Sequence, residues 1–207
     1  IYDNEADNGS GGGVYVSTFN GIYLLGGYID GNSAQQNGGA IYGYYSVVEV
    51  SNGVIQNNLA ELGSGGAIYA QNTEVKISNG VIQNNIATRG TGGGLHIYKG
   101  SLVFNGNENA FATLLNNRAP ANCGGGLYGS YVETVDIDYL RAEENSSVYG
   151  GGIYLQYCNN CTIDGGVFTK NYSNQGAGLF VRSGCTTIKG GEFTYNKAGA
   201  PPKNPDG

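Results

Sequence analysis

The sequence predicts an all-β fold: a right-handed parallel β-helix of about seven coils of 25–28 residues, with three strands per coil. Three observations predict it. A tract of small residues recurs at a nearly fixed interval along the chain. Three apolar columns and one asparagine column keep a fixed offset from that tract. The stretches between them hold β-branched residues, Gly and Asn in short alternating runs, with no amphipathic 3.6-residue period.

The small-residue tract is followed by an aliphatic residue and then an aromatic one. The copies are Gly11-Gly12-Gly13-Val14-Tyr15, Gly38-Gly39-Ala40-Ile41-Tyr42, Gly65-Gly66-Ala67-Ile68-Tyr69 and Gly92-Gly93-Gly94-Leu95-His96. Then come Gly124-Gly125-Gly126-Leu127-Tyr128, Gly150-Gly151-Gly152-Ile153-Tyr154 and Gly176-Ala177-Gly178-Leu179-Phe180. The aliphatic recurs at intervals of 27, 27, 27, 32, 26 and 26 residues. Glycine here permits a sharp turn or a close backbone approach where no Cβ fits. A phosphate loop would need a strand before the glycines and a helix after them, and no helix is predicted.

A second apolar anchor follows at Leu24, Val50, Ile77, Phe104, Ile137, Ile163 and Ile188. A third follows at Ile29, Ile55, Ile82, Leu114, Ala142, Phe168 and Phe193. The ten-residue gap between Phe104 and Leu114 accounts for the single long interval. Three residues beyond the third anchor stands Asn in every repeat: Asn32, Asn58, Asn85, Asn117, Asn145, Asn171 and Asn196. Two residues further on there is always Ala or Ser. Asn suits a left-handed corner, and its amide can bond the Asn above and below in a ladder. Runs such as Ser46–Ser51 and Thr73–Ser78 alternate apolar and polar side chains, as half-buried strands do. Each strand pairing with its copy one repeat away makes every column an inward stack. The L-x-x-L-x-L pattern of a leucine-rich repeat is missing.

Composition narrows the function classes. Glycine is the extreme residue at 38, with only four prolines, which excludes collagen and disordered Pro/Gly tracts. Charged residues make up 13%, acids outnumber bases 16 to 10, and the pI is near 4.6. No basic cluster offers a nucleic acid or an anionic membrane surface a footing. No apolar run approaches the roughly 18 residues of a membrane span, so no membrane insertion by this segment is expected. The first residue is Ile1, which is expected of a processed product or a fragment. Residues 1–200 read as one β-helix domain that starts mid-coil, and residues 201–207 as a Pro-rich tail or linker. Ile1–Ala6 and Phe193–Ala198 share one phase, so the expected partners are copies head to tail or further coils of a longer chain.

The Gly-Gly-Ala-Ile runs at 38–41 and 65–68 and the Phe-x-x-Asn runs at Phe168–Asn171 and Phe193–Asn196 resemble the paired repeat motifs of the chlamydial polymorphic membrane proteins and related adhesin-like surface proteins. The resemblance extends over nearly the whole chain. It implies a right-handed β-helix displayed outside the cell, serving in adhesion or as a surface stalk.

The candidate site residues fall into four groups. Asp136, Asp138 and Asp164 are the best candidates for paired carboxylates of glycoside cleavage, and Asp138 and Asp164 for calcium. Lys189 follows Asp164 in its column, and Glu49 and Lys76 pair similarly, so a solvated charged face is the expectation; no catalytic residue and no cofactor are predicted. Tyr15, Tyr42, Tyr69, His96, Tyr128, Tyr154 and Phe180 each follow an inward aliphatic and form an outward aromatic stripe, self-stacking or offered to a surface glycan or a neighbouring protein. Inward burial of these rings is the alternative. Among four cysteines, Cys161 and Cys185 on adjacent coils are the expected disulfide, with Cys158 a competing partner and Cys123 unpaired. Sequons stand at Asn8, Asn145, Asn160 and Asn171; Asn8 and Asn160 are the better glycosylation candidates, because Asn145 and Asn171 belong to the ladder. Two function classes follow: an extracellular structural or adhesive module, or a carbohydrate-binding or polysaccharide-degrading β-helix enzyme. Regular coils without long loops favour the first.

Overall fold

The computed structural model describes residues 1–199; the predicted tail at 201–207 lies outside the described residues, as does Ala200. The chain folds into a parallel β-solenoid of about seven turns. Among the described residues there is no helix, as the absence of a 3.6-residue apolar period requires.

The predicted registers hold residue by residue. Val14 pairs with Ile41, Ile41 with Ile68, Ile68 with Leu95, Leu95 with Leu127, Leu127 with Ile153 and Ile153 with Leu179. The second anchors align from Leu24 to Ile188, and the third from Ile29 to Phe193. In the middle coils these side chains are fully buried in a single core. Strand alternation gives the reason: inward positions meet like residues above and below and lose all contact with water.

Each coil carries four strand segments where the sequence suggested three. The fourth stack runs through Glu5–Ala6, Ser33–Ala34, Leu59–Ala60, Ile86–Ala87, Arg118–Cys123, Ser146–Tyr149, Tyr172–Ser173 and Lys197–Ala198. Most of its strands are two residues long, too short for a visible alternation. Its inward position is the Ala-or-Ser column, where Ala34, Ala60, Ala87 and Ala119 are fully buried. In several coils the first two stacks run on into one another, as in Ile68–Ser78 and Leu95–Asn105.

The corners show where the chain turns. Asn57, Asn84, Asn116, Glu144 and Lys170 have φ near +50°. The ladder asparagine is the next residue in every case, so the left-handed position is its neighbour and not the ladder Asn itself. The ladder residues are instead fixed by their amides. Each Oδ1 accepts both the backbone N–H and the Nδ2 of the Asn one coil earlier. The Nδ2 contacts run Asn32 to Asn58, 3.0 Å; Asn58 to Asn85, 2.9 Å; Asn85 to Asn117, 3.0 Å; and on through Asn145 and Asn171 to Asn196. Asn4 extends the ladder at its start, donating to Asn32 over 2.8 Å. The second Nδ2 hydrogen goes to backbone carbonyls, as from Asn85 to Ile55 O and Gln83 O. A buried amide is tolerated because all of these groups are satisfied.

The glycine tract makes the other corner. Its first glycine has φ between 61° and 73° in all seven coils. At the second, a Cβ on Gly39 would overlap the Gly66 carbonyl and the Leu59 backbone. That position is closed to side chains by the coil stacked against it.

Candidate functional site

The carboxylates of the second stack lie on the outside of the solenoid. Asp138 and Asp164, with Asp136, Thr134, Asn160 and Lys189, line an open cleft of about 340 Å³. Lys189 Nζ lies 3.3 Å from Asp164 Oδ2, both side chains about half exposed. Such a pair is worth well under about 1 kcal/mol in water, yet it occupies the carboxylate with a cation. Among the described residues no three His, Cys, Asp or Glu side chains are grouped closely enough to hold a metal ion. The expected Glu49–Lys76 pair is replaced: the two are in register, but Lys76 bonds Glu74 on its own strand at 2.7 Å and Glu49 accepts from Ser51 at 3.0 Å. Both side chains on one strand point to the same face two residues apart, which shortens the reach.

The seven-ring column is continuous. Tyr15, Tyr42, Tyr69, His96, Tyr128, Tyr154 and Phe180 stack with centroid separations of 4.7–5.3 Å and interplanar angles of 3–29°. The column faces away from the core, but it is not the open stripe expected from alternation alone. Tyr15 is 59% exposed at one end, whereas Tyr154 is 3% exposed. Neighbouring side chains approach the hydroxyls: Gln156 Nε2 donates to Tyr128 Oη at 2.6 Å, and Arg182 lies near Tyr154. Burial pushes the Tyr69 hydroxyl up to about 12. His96 sits between the Tyr69 and Tyr128 rings with Nδ1 2.6 Å from Thr91 Oγ1, and burial holds its imidazole down at about 3, hence neutral. A neutral ring is the species that stacks in this column without a buried charge.

The cysteines correct another expectation. All four are free thiols. Cys161 pairs with Thr186, not with Cys185. One step of register puts Cys185 on the opposite face, exposed, while Cys161 stays 4% exposed in the core. Cys161 lies instead beside Cys158, also buried, whose Sγ donates to Gln156 O at 3.4 Å; the proximity of the two thiols holds Cys158 down and pushes Cys161 up.

Asn145 and Asn171 are fully buried ladder members whose Nδ2 groups are spent on hydrogen bonds. A glycan on either is incompatible with the folded coil. Asn8 and Asn160 are exposed.

Sequence reasoning passed over one column. At the corner between the first and second stacks Thr18, Phe19, Tyr45, Asn72, Lys99, Tyr131 and Tyr157 all have φ between 46° and 61°. Bulky side chains at positive φ are uncommon and cost about 1–2 kcal/mol each. Phe19 is 90% exposed and Tyr45, Tyr131 and Tyr157 almost half exposed. The signal available in the sequence was the break of alternation at Tyr44-Tyr45, where two aromatics stand side by side.

The model of the Chlamydia polymorphic membrane protein repeat matches residues 26–44 and 52–71. Each match runs from the third anchor through the Asn corner and the glycine tract into the first stack, one structural unit of this solenoid. The repeat and the fold together support the resemblance drawn from the Gly-Gly-Ala-Ile and Phe-x-x-Asn runs. No curated protein and no solved structure is significantly similar to the chain.

Proposed function

We propose that the chain is an extracellular structural and adhesive β-helix module, part of a surface stalk, adhesin or fibre. The observation that carries this reading is continuity. The Asn ladder and the ring stack pass through the coils without interruption, and the insertion between Phe104 and Leu114 builds no roof over the carboxylate cleft. Such a body is a stiff rod, rising by about 4.8 Å per coil, suited to holding a surface at a distance. The match to repeats of a membrane protein family supports a place at the cell surface. Its partners on this reading are like coils, in the same chain or in another copy, since Ile188 and Phe193 of the last coil are 52% and 39% exposed.

Antibody against the chain should label intact, unpermeabilised cells that produce it; labelling only after permeabilisation overturns the reading. The carbohydrate-active alternative rests on the Asp138–Asp164 cleft. Cleavage of acidic polysaccharides that disappears in Asp138→Asn or Asp164→Asn would establish it in place of the scaffold.

A further inference from the structure

We propose that the corner cleft between Phe19 and Tyr45 binds an uncharged glycan, with a sugar ring lying against the aromatic faces. The inference deepens the adhesive reading and rests on it for its biological setting, while the binding itself is a property of the isolated chain.

The cleft has a volume of about 330 Å³ and is lined by Phe19, Asn20, Tyr45, Ser46, Asn72 and Glu74, with Val47 adding to its apolar surface. Phe19 and Tyr45 supply its apolar walls. Tyr44 backs Tyr45 edge-on at 4.6 Å between centroids, which fixes the orientation of that ring. The polar rim is made of groups with bonding capacity left over. Asn20 donates to Ser17 O and Thr18 O, leaving its Oδ1 free to accept. The Asn72 side chain makes no hydrogen bond among the described residues. Glu74, whose Oε1 is paired with Lys76 at 2.7 Å, adds its second carboxylate oxygen.

This combination defines the ligand's chemistry. A flat apolar face against rings, with hydroxyls reaching amides and a carboxylate at the edge, describes a pyranose whose substituents are mostly equatorial. The lining holds no Lys or Arg, and the adjacent cation, Lys76, is engaged by Glu74 at 2.7 Å, so phosphate, sulfate and uronate ligands find no free counter-charge there. The chain's net charge of −6 opposes them as well.

Backbone conformation and exposure together supply the second observation. Phe19 has φ 61° and Tyr45 φ 46°. Left-handed corners elsewhere are held by Asn52, Asn57, Asn79, Asn84 and Asn116, by glycine, and also by Lys99, Tyr131, Glu144, Tyr157 and Lys170; Tyr131 and Tyr157 stack on each other at 4.7 Å, whereas Phe19 is 90% exposed. The same column holds Asn72 one coil on. A ring at such a position that gains little from burial, as Phe19 does, would be cheaper as Asn for the fold alone.

The test follows from that contrast. Chitotetraose and cellotetraose are titrated into the intact chain and followed by calorimetry and by tyrosine fluorescence, with a sulfated heparin tetrasaccharide as the charged comparison. Tyr45→Asn and Phe19→Asn suit the left-handed corner and keep the fold, so their melting temperature should equal or exceed that of the parent. Each should weaken binding of the neutral oligosaccharides about tenfold or more. Tyr131→Asn, in the same column but outside the cleft, should leave affinity unchanged. No binding of either neutral probe at millimolar concentration overturns the proposal, and leaves surface labelling of cells, the test of the adhesive module, unaffected. Equal loss in Tyr131→Asn, tighter binding of the heparin fragment, or Phe19-dependent binding to phosphatidylcholine vesicles without sugar binding also overturns it.

Discussion

His96 is the residue whose chemistry depends most on its neighbours. Its imidazole is held near 3 by burial between two tyrosine rings, against about 6.5 in an unfolded chain. A group depressed in this way is charged in the unfolded state and neutral in the folded one. Stability is therefore complete above pH 6.5 and is lost as pH falls through the window from 6.5 toward 3. The expected result is a melting temperature lower by a few degrees at pH 5.5 than at pH 7.5. His96→Phe should flatten that dependence down to about pH 5, where carboxylates begin to titrate. Asn85 makes a second residue-scale case. Truncation to Ala strips acceptors from the Asn58 N–H and Nδ2 and donors from Ile55 O, Gln83 O and Asn117 Oδ1. Asn85→Ala should cost about 3 kcal/mol or more, measured by denaturant unfolding. For the thiols, native-state alkylation should modify Cys185 first and leave Cys158 and Cys161 until the chain unfolds.

At the scale of the strand, inward residues succeed by matching their neighbours one coil away. Ile77 lies between Val50 and Phe104, all fully buried. Ile77→Asp places a carboxylate with no partner between two apolar groups and should cost about 4 kcal/mol or more, or prevent folding, as read by circular dichroism and melting. Gly39→Ala adds only one methyl, but it meets backbone of two other segments, and backbone cannot rotate aside. It should destabilise more than Gly26→Ala, where nothing lies within 4 Å of the added Cβ. The long strand Ile153–Thr169 shows the limit of column arithmetic. Its pairing with Leu179–Thr194 shifts register between Leu155 and Val167, and there the extrapolated Cys161–Cys185 pair fails.

As a whole molecule the solenoid is a stack in which each inner coil leans on two others, so stability is a sum of coil terms and interface terms. The end coils have one interface each. Tyr15, Tyr23 and Tyr28 are at least half exposed at one end, and Ile188 and Phe193 are 52% and 39% exposed at the other. If like coils cover these ends, association should rise with protein concentration in analytical ultracentrifugation, and Ile188→Glu with Phe193→Lys should suppress it. A monomer at all concentrations, with the same profile in the double variant, would exclude pairing between copies of this chain.

The columns were legible because they are periodic. Val14 to Leu179, Leu24 to Ile188, Ile29 to Phe193 and the asparagines could be aligned by counting, and parallel stacking converts a count directly into a neighbour. What counting could not supply was rotation about the axis and local register. Whether the Tyr128 and Tyr154 rings face open water depends on neighbours such as Gln156, which bonds the Tyr128 hydroxyl, and Arg182, which lies near Tyr154. Whether Cys161 meets Cys185 or Cys158 depends on one residue of slip in the last coils. That the left-handed turn falls on the residue before each ladder Asn, and that Phe19 and Tyr45 are displayed in that same conformation at another corner, is set by where the backbone must bend to close a coil. Hydrophobic period decides which residues go inside; the closure of each turn, a property of the folded backbone alone, decides which face the outside residues present.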